Sequence, residues 1–323
     1  MLLSESPHTA PGWKRLDGVD LLRGLAIFFV LMNHVNMRLL IAKIPYTAKI
    51  PALLVPVTGL ERSVRRSDFL CHLRLPYHFD ITSTTLRRCG SLASVNVGDF
   101  YRLRFARIAP LFILLLLVLS ILRAAQFQDF VVKPKTGGLG RALLAALTFH
   151  INVLEANRGY LPGSWDVLWS LSVEETFYLF FPVISRMFGA GKLFVAFLVG
   201  LIFLGPFSRT VLTHGNEIWG EKSYLGSMDA IALGCLTALI VSRTRFSSPV
   251  LRILAVSGMA VVTLVLGVSN RVYSTVIGRS RLEMTILAVG TCMIIVAAVT
   301  CPPLPSNIVA ETDSVRFCRF AFI

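Results

Sequence analysis

The chain has 323 residues, 54% of them hydrophobic and only 15% charged, with a mean hydropathy of +0.69. A soluble globular chain carries roughly 25% charged residues, so this composition describes a membrane protein. Lys+Arg 32 against Asp+Glu 18 gives +14, but the basic residues flank apolar runs, as at Lys14/Arg15, Arg87/Arg88 and Arg102/Arg104/Arg107. That is the positive-inside pattern of cytoplasmic loop ends, and it excludes a nucleic-acid-binding face as the purpose of the charge.

The opening residues "MLLSESPHTAPGWKRL" contain no apolar core of signal-peptide length, so the first apolar run is expected to stay as a helix. A spanning helix needs about 20 mostly apolar residues. Candidate spans are roughly 20–42, 108–123, 141–156, 166–187, 193–212, 225–242, 249–268 and 284–300. These predict an all-α fold, a polytopic transmembrane helical bundle. With Lys14 and Arg15 in the cytoplasm, the first helix runs outward, and Arg102–Arg107 requires one more span between 43 and 100. The sequence there supplies no convincing one. The stretch 60–79, "LERSVRRSDFLCHLRLPYHF", reads as a basic extramembrane loop, and 124–140 as a loop broken by Gly137, Gly138 and Gly140. The six cysteines form no CxxC pair and no metal spacing, and Cys235 and Cys292 lie inside apolar runs as packing residues.

Three constellations carry chemistry. In "RGLAIFFVLMNH", eleven helical steps separate Arg23 from His34. At about 100° and 1.5 Å per residue they come to roughly 20° past three turns, so both side chains share one face about 16 Å apart. Ionisable residues within a span suggest function; the alternative is that Arg23 snorkels to one interface and His34 sits near the other. In "SWDVLWSLSVEETFYLFF", Glu174 and Glu175 follow Trp165 and Trp169. Adjacent helical residues point about 100° apart, so at most one of the two acids faces a given cavity. The alternative is a helix end at the interface with tryptophan anchors. In "DFYRLRFARIAPLF", Arg104 and Arg107 share a face with Arg102 nearby, either as phosphate-binding donors or as a positive-inside flank.

Taken in this order, the stretches resemble the acyltransferase-3 family of integral membrane O-acyltransferases. "LDGVDLLRGLAIFFVLMNH" resembles the family's first helix, "RLRFARIAPLF" its Arg-rich third helix, and "LWSLSVEETFYLFFPVI" its tryptophan, serine and glutamate signature. "YLGSMDAIALGCLTALI" resembles a later helix carrying an aspartate, here Asp229. About 8–9 spans are recognisable where the family usually has about ten. The resemblance divides the chain into a cytoplasmic tail at 1–15, a membrane domain at 16–300 with 60–80 anomalous, and an aberrant or truncated tail at 301–323.

The resemblance implies transfer of an acyl group, acetyl first among them, from acyl-CoA to a hydroxyl of a sugar, surface glycan or related acceptor. No permanently bound cofactor and no metal are implied; acyl-CoA is a donor substrate. His34 is then the general base, Arg23 an orienting cation and Glu174 the acid that positions the acceptor or tunes the histidine. Arg102, Arg104 and Arg107 become candidates for the coenzyme A phosphates. Trp169, Ser172, Glu175 and Asp229 become candidates for the substrate. The partners implied are the lipid bilayer, acyl-CoA and the hydroxyl acceptor, with no nucleic acid. The location implied is a bacterial cytoplasmic (inner) membrane with a cytoplasmic N-terminus. A transporter or flippase of glycan precursors, with the same ionisable residues along a path, is the competing class.

Two departures from the family stand out. Its second helix, opening with Asn-Gly and ending Ser-Gly-Phe-Leu-Ile-Thr, is missing. Yet Glu61–Asp80 can be encoded so that reading one base later gives "NGRYAGRIFFVISGFLITS", which is that helix. The codons are a choice, and the return to frame before "TSTTLRR" leaves residues that look duplicated. The expectation is a frame shift near 60–80, in which case Arg62, Arg65, Arg66, His72, Arg74 and His78 carry no chemistry. The family's closing helix is also absent after "CPPLP", so a truncated, inactive member is a further expectation.

Overall fold

The computed structural model describes residues 22, 24–28, 31, 32, 35, 39, 75–89, 91–213, 215–267 and 281–300. Arg23 and His34 lie outside the described residues, as do 60–74 and 301–323.

The described residues form helices and no strands. After the leading helical residues come α1 (Leu75–Cys89), α2 (Val97–Ala124), α3 (Gly138–Leu147), α4 (Ile151–Arg158), α5 (Gly163–Asp166), α6 (Leu168–Phe188), α7 (Lys192–Thr210), α8 (Glu217–Lys222), α9 (Tyr224–Arg243), α10 (Ser248–Gly267) and α11 (Glu283–Thr300). Among the described residues six stretches are long and apolar enough to cross a membrane: α2, α5 with α6, α7, α8 with α9, α10 and α11. The all-α transmembrane bundle expected from the apolar runs is therefore present.

Consecutive long helices run in alternate directions, which sets two ends. At one end Arg186 donates to the Val95 carbonyl at 3.3 Å and Arg243 to that of Ala190. At the other, Ser164 donates to the Asp129 carbonyl at 3.0 Å and Asn216 to that of Ala156 at 2.7 Å. Local signals start several helices. Asn96 accepts from Gly98 and Asp99 at the head of α2, and Ser223 from Gly226 at the head of α9. Small residues let helices approach: a Cβ on Gly205 of α7 would stand 2.7 Å from the Asp229 Cβ on α9, and one on Gly258 of α10 would stand 2.8 Å from the Gly290 carbonyl on α11.

Two expectations are corrected. The candidate span 141–156 does not cross. It divides into α3 and α4, which reverse direction at Thr148–His150. Phe149 sits at φ 54, with its N–H bonded to the Ala146 carbonyl at 3.1 Å and that of His150 to Ala145 at 2.8 Å. This is a Schellman termination with phenylalanine where glycine is usual. The left-handed backbone costs roughly 1–2 kcal/mol, offset by stacking of the ring on Phe112 at 5.7 Å. Residues 75–79 are likewise not loop but the start of α1, with Phe79 and His78 buried. Thr82 and Ser83 are small and polar, which depresses the apolar signal of α1, yet both are buried. The leading helical residues pack beside α11, where Ala26 meets Met284 and Leu287.

Candidate active site

The Arg-rich and glutamate stretches meet. Arg104 of α2 donates to Glu175 Oε1 of α6 at 2.7 Å, and its guanidinium lies 3.5 Å from the centre of the Tyr178 ring. Their side chains are 9% and 13% exposed, so the pair is nearly but not wholly sealed. It borders a crevice of about 400 Å³ between α2, α6 and the α3–α4 reversal. On the inner side of Tyr178 its hydroxyl lies 2.5 Å from His78 Nδ1. A chain of contacts thus runs from His78 through Tyr178 and Arg104 to Glu175.

The other candidates are placed as follows. Arg102 is exposed, 3.8 Å from Asp99, and Arg107 is exposed on the same helix. Glu174 is buried and does not line the crevice, in keeping with the 100° between neighbours. Ser172 is buried and donates to the Leu168 carbonyl at 3.2 Å. Trp169 is buried with the Lys222 ammonium 5.9 Å from its ring. Trp165 is fully buried and donates to the Phe130 carbonyl at 3.3 Å, so it packs inside the protein instead of anchoring at an interface.

Asp229 belongs to a different locus. Arg209 of α7 grips it with two bonds of 2.7 and 3.1 Å, and Thr285 of α11 adds one of 2.5 Å to the same carboxylate. Both charged side chains have no exposure. A third charged cluster lies at the α4–α8 end. Lys222 reaches Glu155 Oε2 at 2.8 Å and also bonds Asp166, while Glu155 Oε1 accepts from the Leu161 N–H at 3.0 Å. Burial, and then the charge of Asp166, push the Glu155 carboxyl up to about 8.

Sequence reasoning missed His78, Arg209 and the Lys222 cluster. Lys222 and Arg209 each carry a charge beside an apolar run, which was a usable signal; their partners, separated by loops, were not readable. Among the described residues no group of His, Cys, Asp and Glu could hold a metal ion. Cys235 and Cys292 are free and buried.

A helical membrane bundle with an arginine–glutamate pair beside an apolar crevice fits a membrane transferase. Comparison with known proteins makes the class definite. The family described as "Acyltransferase domain" matches residues 16–311, and the chain belongs to this acyltransferase-3 family. It is also similar to "O-acetyltransferase OatA" of Staphylococcus aureus, in strains NCTC 8325 / PS 47, COL and MRSA252 alike. The identity is 23% over 235 residues, 70% of this chain and 34% of each relative. The chain thus spans about a third of the length of the curated relatives it matches. No solved structure matches.

Proposed function

We propose that the chain transfers an acyl group, acetyl in the relatives' names, from acyl-CoA to a hydroxyl of a sugar or surface glycan. The observation that carries this reading is the Arg104–Glu175 bond, because it joins two motif segments 71 residues apart beside one crevice. The donor enters from the end at which α2 begins. Arg102, Arg107, Arg186 and Arg243 belong to the half of the bundle at that end, which supports reading it as the cytoplasmic side under the positive-inside rule. A cytoplasmic N-terminus, in a bacterial inner membrane, belongs to the same proposal.

In this mechanism Arg102 and Arg107 bind the coenzyme A phosphates by charge-assisted bonds. Neutral His34 takes the proton of the acceptor hydroxyl. The hydroxyl oxygen bonds to the acyl carbon as the C–S bond breaks, and the proton passes from the imidazole to the departing thiolate. Arg23 orients the donor, and Glu174 holds the acceptor or the imidazole. Trp169, Ser172 and Glu175 shape the acceptor side, and Asp229 fixes the helix behind it. Membranes containing the chain, supplied with labelled acetyl-CoA and a glycan acceptor, should transfer label, and His34→Ala should abolish it. Retained transfer in that variant removes His34 as the base.

A second reading, an inactive family member, is favoured by the anomalous stretch 60–80. The nucleotide sequence decides whether the shifted frame exists. A chain repaired to "NGRYAGRIFFVISGFLITS" that transfers label where the present chain does not supports this reading; equal activity rejects it.

A further inference from the structure

The crevice beside Arg104–Glu175 is more apolar than its residue types suggest. Four hydroxyl-bearing residues line it, and each is engaged elsewhere: Tyr101 donates to the Leu179 carbonyl at 2.5 Å and Thr176 to that of Ser172 at 2.8 Å, Thr148 bonds the Leu144 carbonyl and His150 Nδ1, and Tyr178 meets His78 Nδ1. What remains facing the space is hydrocarbon, apart from the ion pair. Its rim is apolar too. Phe105 and Ile113 of α2 are exposed on that face, within a segment that qualifies as a membrane span.

The dimensions and position matter as much as the lining. The crevice follows α2 from Tyr101 to Ile113, which is about 18 Å of helix. It begins on the stretch that carries Arg102, Arg104 and Arg107 and ends at the Phe149 reversal. An acetyl group occupies only a small part of a cavity of about 400 Å³, and an apolar cavity left empty forfeits packing contacts.

We propose that this crevice seats the acyl chain of the donor and admits fatty acyl groups longer than acetyl. The thioester lies beside Arg104–Glu175, and the methylenes run along α2 toward Phe149. This rests on the reading above that acyl-CoA is the donor and that its phosphates meet Arg102 and Arg107.

Burying a methylene favours binding by roughly three- to fourfold, so KM for acyl-CoA donors should fall by about that factor per added carbon until the crevice is full. Binding is read independently of turnover with octanoyl-CoA bearing a diazirine at the chain end, photolysed on the full chain in its membrane. The expected label falls in 101–113 and 147–149. It is competed by octanoyl-CoA, lost in Ala109→Trp, reduced in the milder Ala109→Leu and kept in Leu114→Trp on the lipid face of the same helix.

Label elsewhere, or label that survives both Ala109 substitutions, overturns the proposal. Equal labelling by a diazirine phosphatidylcholine that octanoyl-CoA does not compete identifies bulk lipid as the occupant and also overturns it. Crevice labelling without acyl transfer sinks the enzymatic reading and leaves this one standing. Acetyl transfer without crevice labelling does the reverse.

Discussion

Among the described residues two arginine–carboxylate pairs join different helices, and they differ in what surrounds them. Arg209–Asp229 is sealed, with no exposure on either side chain and Thr285 bonded to the same carboxylate. Arg104–Glu175 keeps some exposure on both side chains and has an open cavity at its side. A buried charge must be compensated by its surroundings. The sealed pair is compensated by groups on α7, α9 and α11, which makes it a clamp. The open pair leaves room for a ligand to supply part of it.

The largest expected effect breaks the clamp. Asp229→Ala strands the Arg209 charge among buried residues and should cost about 3–5 kcal/mol, seen as a lower midpoint of thermal unfolding in detergent. Glu175→Gln should cost only about 1–2 kcal/mol of stability. If the two losses match, the contrast between sealed and open pairs is wrong.

The second effect inverts the ranking. Glu175→Gln should reduce acyl transfer on the order of 100-fold through lost positioning, measured with labelled donor. Thr285→Val, which removes one bond from the clamp, should leave transfer within about twofold while costing roughly 1 kcal/mol of stability.

A third charged site sharpens the comparison through pH. Glu155, pushed up to about 8 from an ordinary 4.5 by burial and by Asp166, holds its proton more tightly folded than unfolded. Its contribution to stability is therefore complete below about 4.5 and is lost as pH rises through about 8. Unfolding midpoints taken from pH 5 to 9 should fall across that window, and Glu155→Gln should flatten the slope. A slope unchanged by that substitution removes Glu155 as its source.

The smallest effect is at the cavity's far wall. Phe149→Gly relieves the left-handed backbone but loses the stack on Phe112. The net stability change should stay within about 1 kcal/mol, since the two contributions oppose each other, while the crevice widens and octanoyl-CoA affinity drops.

The long spans were legible because their apolar runs come close to the bilayer requirement of about 20 residues, as in α2, α9 and α11. α1 was not, because "DITSTT" dilutes its hydropathy and its burial comes from neighbours that no window of sequence contains. The division of 141–156 was missed for a different reason. Its termination uses Phe149 in a conformation normally marked by glycine, so no breaker was visible. Within the site, spacing separated Glu174 from Glu175 correctly into two directions. It could not say that Glu175, not Glu174, meets Arg104, since that depends on the rotation of α6 against α2. His78 was set aside with its anomalous stretch, and only the fold brings it to Tyr178.

The turn at Thr148–His150 also settles a matter of counting. Because α3 and α4 go in and come back, Lys133 and Asn157 emerge on one and the same face, and every helix from α5 onward keeps the orientation that α2 dictates. Had this segment crossed, the parity of the whole second half would flip, and Arg243 would surface opposite Arg102. Enzymatic reporters or single-cysteine tags placed after Lys133 and after Asn157 should therefore report the same compartment.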